Sequence, residues 1–243
     1  MRFTVSEPPR GYSEALVHEV PPPPFWAVVR FLFASPVLRN VVIAGTLTAF
    51  AGYASVIWVP IYLVRIHEMG TGEAGTYLAL TLGVGGAIGI YLGGRIADHL
   101  GKKYGEHWLA WLVAIVGVIS VPFMLLCFFA ETAETAILAY AIPAFLGTIY
   151  VACGFALIQN HTPLEMRSVC AAINLFILNI IGLGLGPFTI GLLSDLFEPS
   201  MGQDSLRYGL LATLVAIVLG CWYYYRTGAF ILRTRDSAIV SSL

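Results

Sequence analysis

Six long apolar runs, near residues 40–63, 74–96, 108–129, 136–158, 168–193 and 206–225, dominate this chain. Each approaches the roughly 20 residues that an α-helix needs to cross the hydrocarbon of a bilayer. The connections between them are short, at 65–73, 97–107, 130–135, 159–167 and 194–205. Inside hydrocarbon the backbone has no water to pair with, so a spanning segment is a helix or part of a closed barrel. Runs of this length are too long for barrel strands. The expected fold is an all-α membrane protein with six transmembrane helices.

Composition removes the main alternatives. Only 11% of the 243 residues are charged and 58% are hydrophobic, whereas soluble domains carry about 25% charged residues. A net charge of −1 argues against a nucleic-acid partner. Cys127, Cys153, Cys170 and Cys221 all lie in apolar runs, with no zinc or redox spacing; they read as small buried hydrophobes. Residues 1–24 contain no apolar core of the kind a cleavable signal needs.

The chain divides around the apolar runs. Residues 1–24 end in four prolines, Pro21 to Pro24, which favour an extended polyproline stretch, so the segment reads as a cytoplasmic linker. Residues 25–36 read as an interfacial helix, aromatic with Arg30 inside it, or as a fraying extension of the first span. Residues 37–225 form the six-helix bundle, with Asp204 and Ser205 able to cap the last helix. Residues 226–243 are a cytoplasmic tail too short to fold alone. Eleven of the 13 Lys and Arg fall on the side that holds both ends, leaving only Arg65 and Arg207 opposite. The positive-inside rule therefore places both termini in the cytoplasm.

No Asp, Glu, Lys or Arg stands in the middle of a span. Intramembrane ionisable groups mark proton and ion pathways, so no relay is expected within this chain. Neither an enzyme, a cofactor nor a metal site is expected. His161 and Glu165 are four apart, but they flank Pro163 in a connection without a second ligand set.

Three features carry functional information. The first is the segment 83–103, where Gly85, Gly89 and Gly93 recur every four residues and stack on one helix face, the spacing that lets helices pack closely in bilayers. It ends in Gly94, Asp98, Gly101, Lys102 and Lys103. Placed beyond the C-terminal end of its helix, Asp98 is disfavoured by the dipole and calls for a neighbouring helix N-terminus or an Arg; a solvated turn is the other reading. The second feature is the fifth span, with Gly182, Gly184, Gly186, Pro187 and Gly191. A proline bends a helix, and the bend serves either rocking or packing alone. Asn174 and Asn179, five apart there, are expected to point in different directions.

The third feature is a pair of stripes. Thr46, Phe50, Tyr53 and Ile57 share one face of the first span, and Tyr140, Ala144, Thr148, Phe155 and Gln159 run along the fourth, beside Pro143. Mixed aromatic and hydroxyl faces suit a cavity for a partly apolar ligand. They serve equally well for hydrogen bonding between helices.

The motif 94–103 resembles the loop motif G-x-x-x-D-R-x-G-R-R of the major facilitator superfamily, matched at Gly94, Asp98, Gly101, Lys102 and Lys103. His99 stands where the pattern has Arg, and lysines replace arginines, losing bidentate pairing. Pro163 with Arg167 is similar to the connection before the family's eleventh helix, and GLGLGPFTIGLLSD is similar to that helix. SEPPRG and DSLRYGLL resemble the central linker and final helix of bacterial spinster-like members.

The resemblance covers nearly the whole chain, but only as the carboxy-terminal half of the fold. It implies a secondary active transporter that moves a small amphiphilic, lipid-like or organic solute by alternating access. It implies a second six-helix half as partner, from the same gene, a separate chain or a second copy. Gly94, Asp98, Gly101, Lys102, Lys103 and Arg167 would form a conformational latch. The glycine faces of the second and fifth spans, with the Pro187 kink, would line the interface with the other half. Thr46, Phe50, Tyr53, Tyr140, Thr148 and Phe155 would line the substrate cavity. The competing reading is a non-transporting accessory or scaffold subunit.

Overall fold

The computed structural model describes residues 23–241; most of the segment read as a linker, and residues 242–243, lie outside the described residues. The chain forms seven helices there: α1 Phe25–Ala34, α2 Pro36–His67, α3 Thr71–Tyr104, α4 His107–Phe128, α5 Ala133–Asn160, α6 167–201 and α7 Ser205–Ser241. No strand occurs among the described residues. The last two helices belong to one helical run of 72 residues, Leu164–Arg235, several times longer than one crossing. The run turns back at Gly202, whose φ of +56° suits a residue without a β-carbon. The Ser194 and Ser205 hydroxyls meet at 3.2 Å across that turn, and Gly209 faces the Ile190 carbonyl. Six helices therefore span, and α1 is a short seventh, with Val28 and Leu32 buried against the bundle and Trp26 exposed.

Local chemistry sets the helix ends. The Ser35 hydroxyl accepts from the Leu38 N–H at 3.4 Å, with Pro36 in the first turn. Thr132 caps α5 through the Thr135 N–H at 3.3 Å. Helix α3 stops at Gly105, φ +109°. Asp98 thus sits inside α3, more than a turn before its end, and not in a turn beyond it as expected. Glycine is absent between Asp98 and Leu100, and Gly101 is tolerated because the helix is already nucleated. For the same reason the residues after Tyr225 continue α7 as far as Ser241.

Helices α3 and α6 both widen at mid-length. Ala79–Gly85 and Leu178–Leu185 are π-helical, each rich in glycine. In α6 the widened turn directly precedes Pro187. A proline offers no N–H and its ring crowds the carbonyl four residues back, so a local change of pitch relieves both problems. The Trp58 indole N–H donates to the Pro187 carbonyl at 2.8 Å, tying the bend to α2.

The packing has an internal repeat. Helix α6 lies against α2 as α3 lies against α5, α7 packs on α2 as α4 packs on α5, and α4 meets α7. The units α2–α4 and α5–α7 thus use the same contacts in opposite directions, as in inverted-topology repeats.

Glycines set these approaches. A β-carbon at Gly89 would collide with the Phe145 carbonyl and the Thr148 hydroxyl of α5, and one at Gly93 would stand 2.6 Å from Ile149. A β-carbon at Gly186 would stand 2.7 Å from the Phe50 carbonyl of α2. Gly85 has open space around it; the buried row is Gly86, Gly89, Gly93 and Ala97, spaced by three and four as one α-helical face is. Gly89, Gly93 and Gly186 are taken up by contacts within this chain, while Gly85 and Gly184 have open space.

At the end remote from the termini, Tyr62 donates to the Cys127 and Phe128 carbonyls at 2.9 and 3.1 Å. Arg207 donates to the Phe128 and Ala130 carbonyls at 3.2 and 3.4 Å. These bonds satisfy the frayed end of α4 and join α2, α4 and α7. Valine at Gly89 is expected to destabilise the purified chain by about 1–3 kcal/mol or to prevent folding. Alanine at Gly94, which has open space, should stay within about 0.5 kcal/mol. Thermal unfolding in detergent with size-exclusion chromatography measures both.

Candidate transport cavity

Among the described residues, cavities open between the helices, and two of them adjoin. The larger, about 290 Å³, reaches from α2 and α5 inward to α4 and α7. Its floor includes Ser55, Ser120, Tyr140 and Tyr224, all buried, while Gly52, Val56, Gly147 and Val151 are exposed at its rim between α2 and α5. The space arises where α5 is broken: Pro143 lies in its first segment, Gly147 donates to the Pro143 carbonyl at 2.8 Å, and Thr148 precedes the second. The smaller cavity, about 120 Å³, lies nearer the termini, between α2, α5, α6 and α7. Tyr53, Tyr150, Val151 and Tyr224 border both.

The larger cavity is mostly apolar because its Ser and Thr hydroxyls, Ser55 excepted, are turned onto their own helices. Thr48 donates to the Ala44 carbonyl at 2.9 Å, Ser120 to Val116 at 2.8 Å and Thr148 to Phe145 at 3.0 Å. Such back-bonding is the usual fate of Ser and Thr inside helices. No Lys, Arg, His, Asp or Glu borders either cavity among the described residues.

The stripe residues distribute unevenly. Tyr53, Tyr140 and Thr148 border the larger cavity, and Tyr53 and Phe155 the smaller. Thr46 and Phe50 border neither. Thr46 is buried with its hydroxyl on the Val42 carbonyl at 2.7 Å, and Phe50 lies where α2 meets Gly186. Tyr150 and Tyr224 were not singled out from the sequence. Tyr224 sits in the run Tyr223 to Tyr225, where only burial separates the inward ring from its neighbours. Asn174 and Asn179 both border the smaller cavity, contrary to expectation, because the space lies where α6 passes into its wide π segment.

The loop-motif residues occupy the last turns of α3. Asp98, Lys102 and Lys103 are exposed, and Gly101 passes beneath Leu109 of α4. Among the described residues Asp98 has no hydrogen-bond or ion-pair partner. Arg167 is directed elsewhere, its Nε donating to the Thr162 carbonyl at 3.1 Å, so Asp98 and Arg167 are not paired here. His161 stands 3.4 Å from Glu106 at the same end of the bundle.

An all-helical bundle of six spans, internally repeated and cavity-bearing, is the architecture of one half of a membrane transporter. The chain belongs to the major facilitator superfamily, whose profile matches residues 2–187. It is 33% identical over 180 residues to an MFS-type efflux pump of Mycolicibacterium smegmatis, covering 74% of this chain and 42% of the pump. It is 25% identical to protein spinster homolog 1 of Xenopus laevis, covering 97% of this chain and 48% of the relative. It is also 27% identical to a sphingosine-1-phosphate transporter of Danio rerio, covering 81% and 42%. The fold matches the crystal structure of a bacterial homolog of the human lysosomal transporter spinster, inward-facing and unoccupied. The TM-score is 0.77 at 22% identity, covering 96% of this chain and 56% of that one. The chain spans about half the length of the curated relatives it matches. It is an integral membrane protein of a transporter family, similar to spinster-like members.

All four native cysteines are buried, which leaves a quiet background for thiol labelling. A cysteine at Thr148, on the larger cavity, is expected to react with a small methanethiosulfonate at least about tenfold faster than one at the buried Thr46. Mass-shift kinetics on the purified chain measures this, and equal rates would show the cavity closed to solution.

Proposed function

We propose that this chain is the carboxy-terminal half of a secondary active transporter, and that it moves a small amphiphilic or organic solute by alternating access together with a second six-helix half. The observation that carries the reading is the size relation: relatives such as the efflux pump and the spinster homologues are about twice as long, and this chain supplies one complete six-helix unit. The cavity rim opens between α2 and α5, and α3 and α6 expose broad apolar faces at Leu80, Val84, Ile88, Phe176, Ile180 and Phe188. A second half set against those faces would close the cavity into a path.

In this reading both termini are cytoplasmic and the membrane is the plasma (bacterial inner) membrane, in keeping with the Lys and Arg bias. Gly94, Asp98, Gly101, Lys102, Lys103 and Arg167 act as a latch at the cytoplasmic end. Asp98, exposed and without a partner among the described residues, takes its partner from the other half in one state only. Tyr53, Tyr140, Thr148 and Phe155 face the solute. The apolar cavity fits the amphiphile class named in the sphingosine-1-phosphate transporters, while charged headgroups and coupling protons fall to the other half.

The test is flux in proteoliposomes, with ethidium and sphingosine-1-phosphate as probes. The 243-residue chain alone should carry neither. Reconstituted with an amino-terminal half it should carry one of them, and Asp98→Asn should lower that flux at least about tenfold without loss of assembly. Flux by the chain alone refutes the need for a second half. Undiminished flux in the Asp98→Asn complex refutes the latch, and no flux in any pairing favours an accessory subunit.

A further inference from the structure

The smaller cavity holds two polar groups that the fold leaves without partners. Asn174 of α6 is 4% exposed and its Oδ1 has no hydrogen-bond partner; Tyr224 of α7 is 1% exposed and its hydroxyl has none. Both border the same space. Exchanging the amide oxygen and nitrogen of Asn174 would present an NH₂ instead, which also requires a partner. Buried polar groups are normally paired, and each exception calls for a partner or a role.

The space around the Tyr224 hydroxyl is built by two glycines on different helices. A β-carbon at Gly45 of α2 would stand 3.5 Å from that oxygen, and one at Gly154 of α5 would stand 3.4 Å from it. Tyr53, at the partition between the cavities, donates to Asn179 Oδ1 at 3.5 Å, and the Asn179 amide in turn donates to the Leu175 carbonyl at 2.8 Å. That second asparagine is therefore occupied, and Asn174 and Tyr224 remain open. A cavity of about 120 Å³ has room for several atoms of a ligand or for a few waters.

We infer that the smaller cavity is a specificity subsite for an uncharged hydrogen-bonding group of the transported amphiphile, a hydroxyl donating to Asn174 and engaging the Tyr224 phenol, with the attached chain running past Tyr53 into the larger apolar cavity. This rests on the proposed transport reading and deepens it. Charge logic selects the group. With no cationic side chain on the wall, a carboxylate or phosphate would be desolvated without compensation, whereas a hydroxyl finds both an acceptor and a donor. Asn174 borders only the smaller cavity, toward the termini, so the attached chain runs from it past Tyr53 into the larger cavity.

The test uses the full chain in nanodiscs and three photoactivatable, clickable probes of identical 16-carbon chain: the alcohol, its methyl ether and the fatty acid. The ether keeps the shape but cannot donate. Wild-type protein should capture the alcohol on the order of fivefold better than the ether, as one net hydrogen bond allows. The fatty acid should be captured no better than the ether, and adducts should map to α2, α5, α6 and α7. Asn174→Leu and Tyr224→Phe should each bring alcohol capture down to the ether level while ether capture stays unchanged, which also reports that the variants are folded. Equal capture of alcohol and ether by wild type, as water-filled space would give, overturns the subsite and leaves the transport reading standing. A preference that survives both substitutions overturns it as well. Failure to capture any of the three overturns the subsite and the amphiphile reading together.

Discussion

Close backbone approach between helices is the interaction on which this structure depends. Lipid tails are as apolar as leucine, so the hydrophobic effect does not press spanning helices together, and packing of small residues and hydrogen bonds must do so. Here α2 is the axis. Gly220 of α7 lies against the Ala44 carbonyl, Gly186 and Gly182 of α6 lie against the backbone of Phe50 and Ala49, and the Trp58 indole holds the Pro187 bend. On the other side of the bundle Gly89 and Gly93 bring α3 onto α5. The two contacts are counterparts in the internal repeat, each made by a helix that carries a π segment.

That construction explains where the cavities fall. Small residues draw the helices together at some levels, while broken or widened helices hold them apart at others. The Pro143 to Thr148 interruption opens the larger cavity, and the π segment of α6 opens the smaller. Backbone groups freed in such places must find partners. The polar side chains around them mostly bond to carbonyls of their own helix, with Ser55 at the larger cavity and Asn174 and Tyr224 at the smaller as exceptions among the described residues.

The two ends of the bundle are built differently. The end remote from the termini is locked by Tyr62 and Arg207, which bind three carbonyls around the end of α4. The end bearing the termini carries Asp98, Lys102 and Lys103 on the exposed surface of α3. At one end buried and partly buried side chains meet the carbonyls, and at the other a carboxylate stands exposed without a partner among the described residues.

The fold class was legible in the sequence because a bilayer leaves so few options: six apolar runs with short polar joints admit little besides a six-helix bundle, and the family motif at Gly94, Asp98 and Gly101 points to the same fold. Tyr53, Tyr140, Thr148 and Phe155 were legible as a polar-aromatic stripe, since helical periodicity alone groups them. The tertiary structure decided what periodicity assumes away. A π segment winds wider than an α-helix, so Asn174 and Asn179, five apart across its start, meet one cavity. Thr46 and Tyr53 share a stripe, yet only packing against α6 and α7 determines which of them meets open space. The burial of Tyr224 depends on Gly154 of α5 and Gly45 of α2, both far away in sequence. No local pattern encodes that contact, because it exists only once three helices have come together.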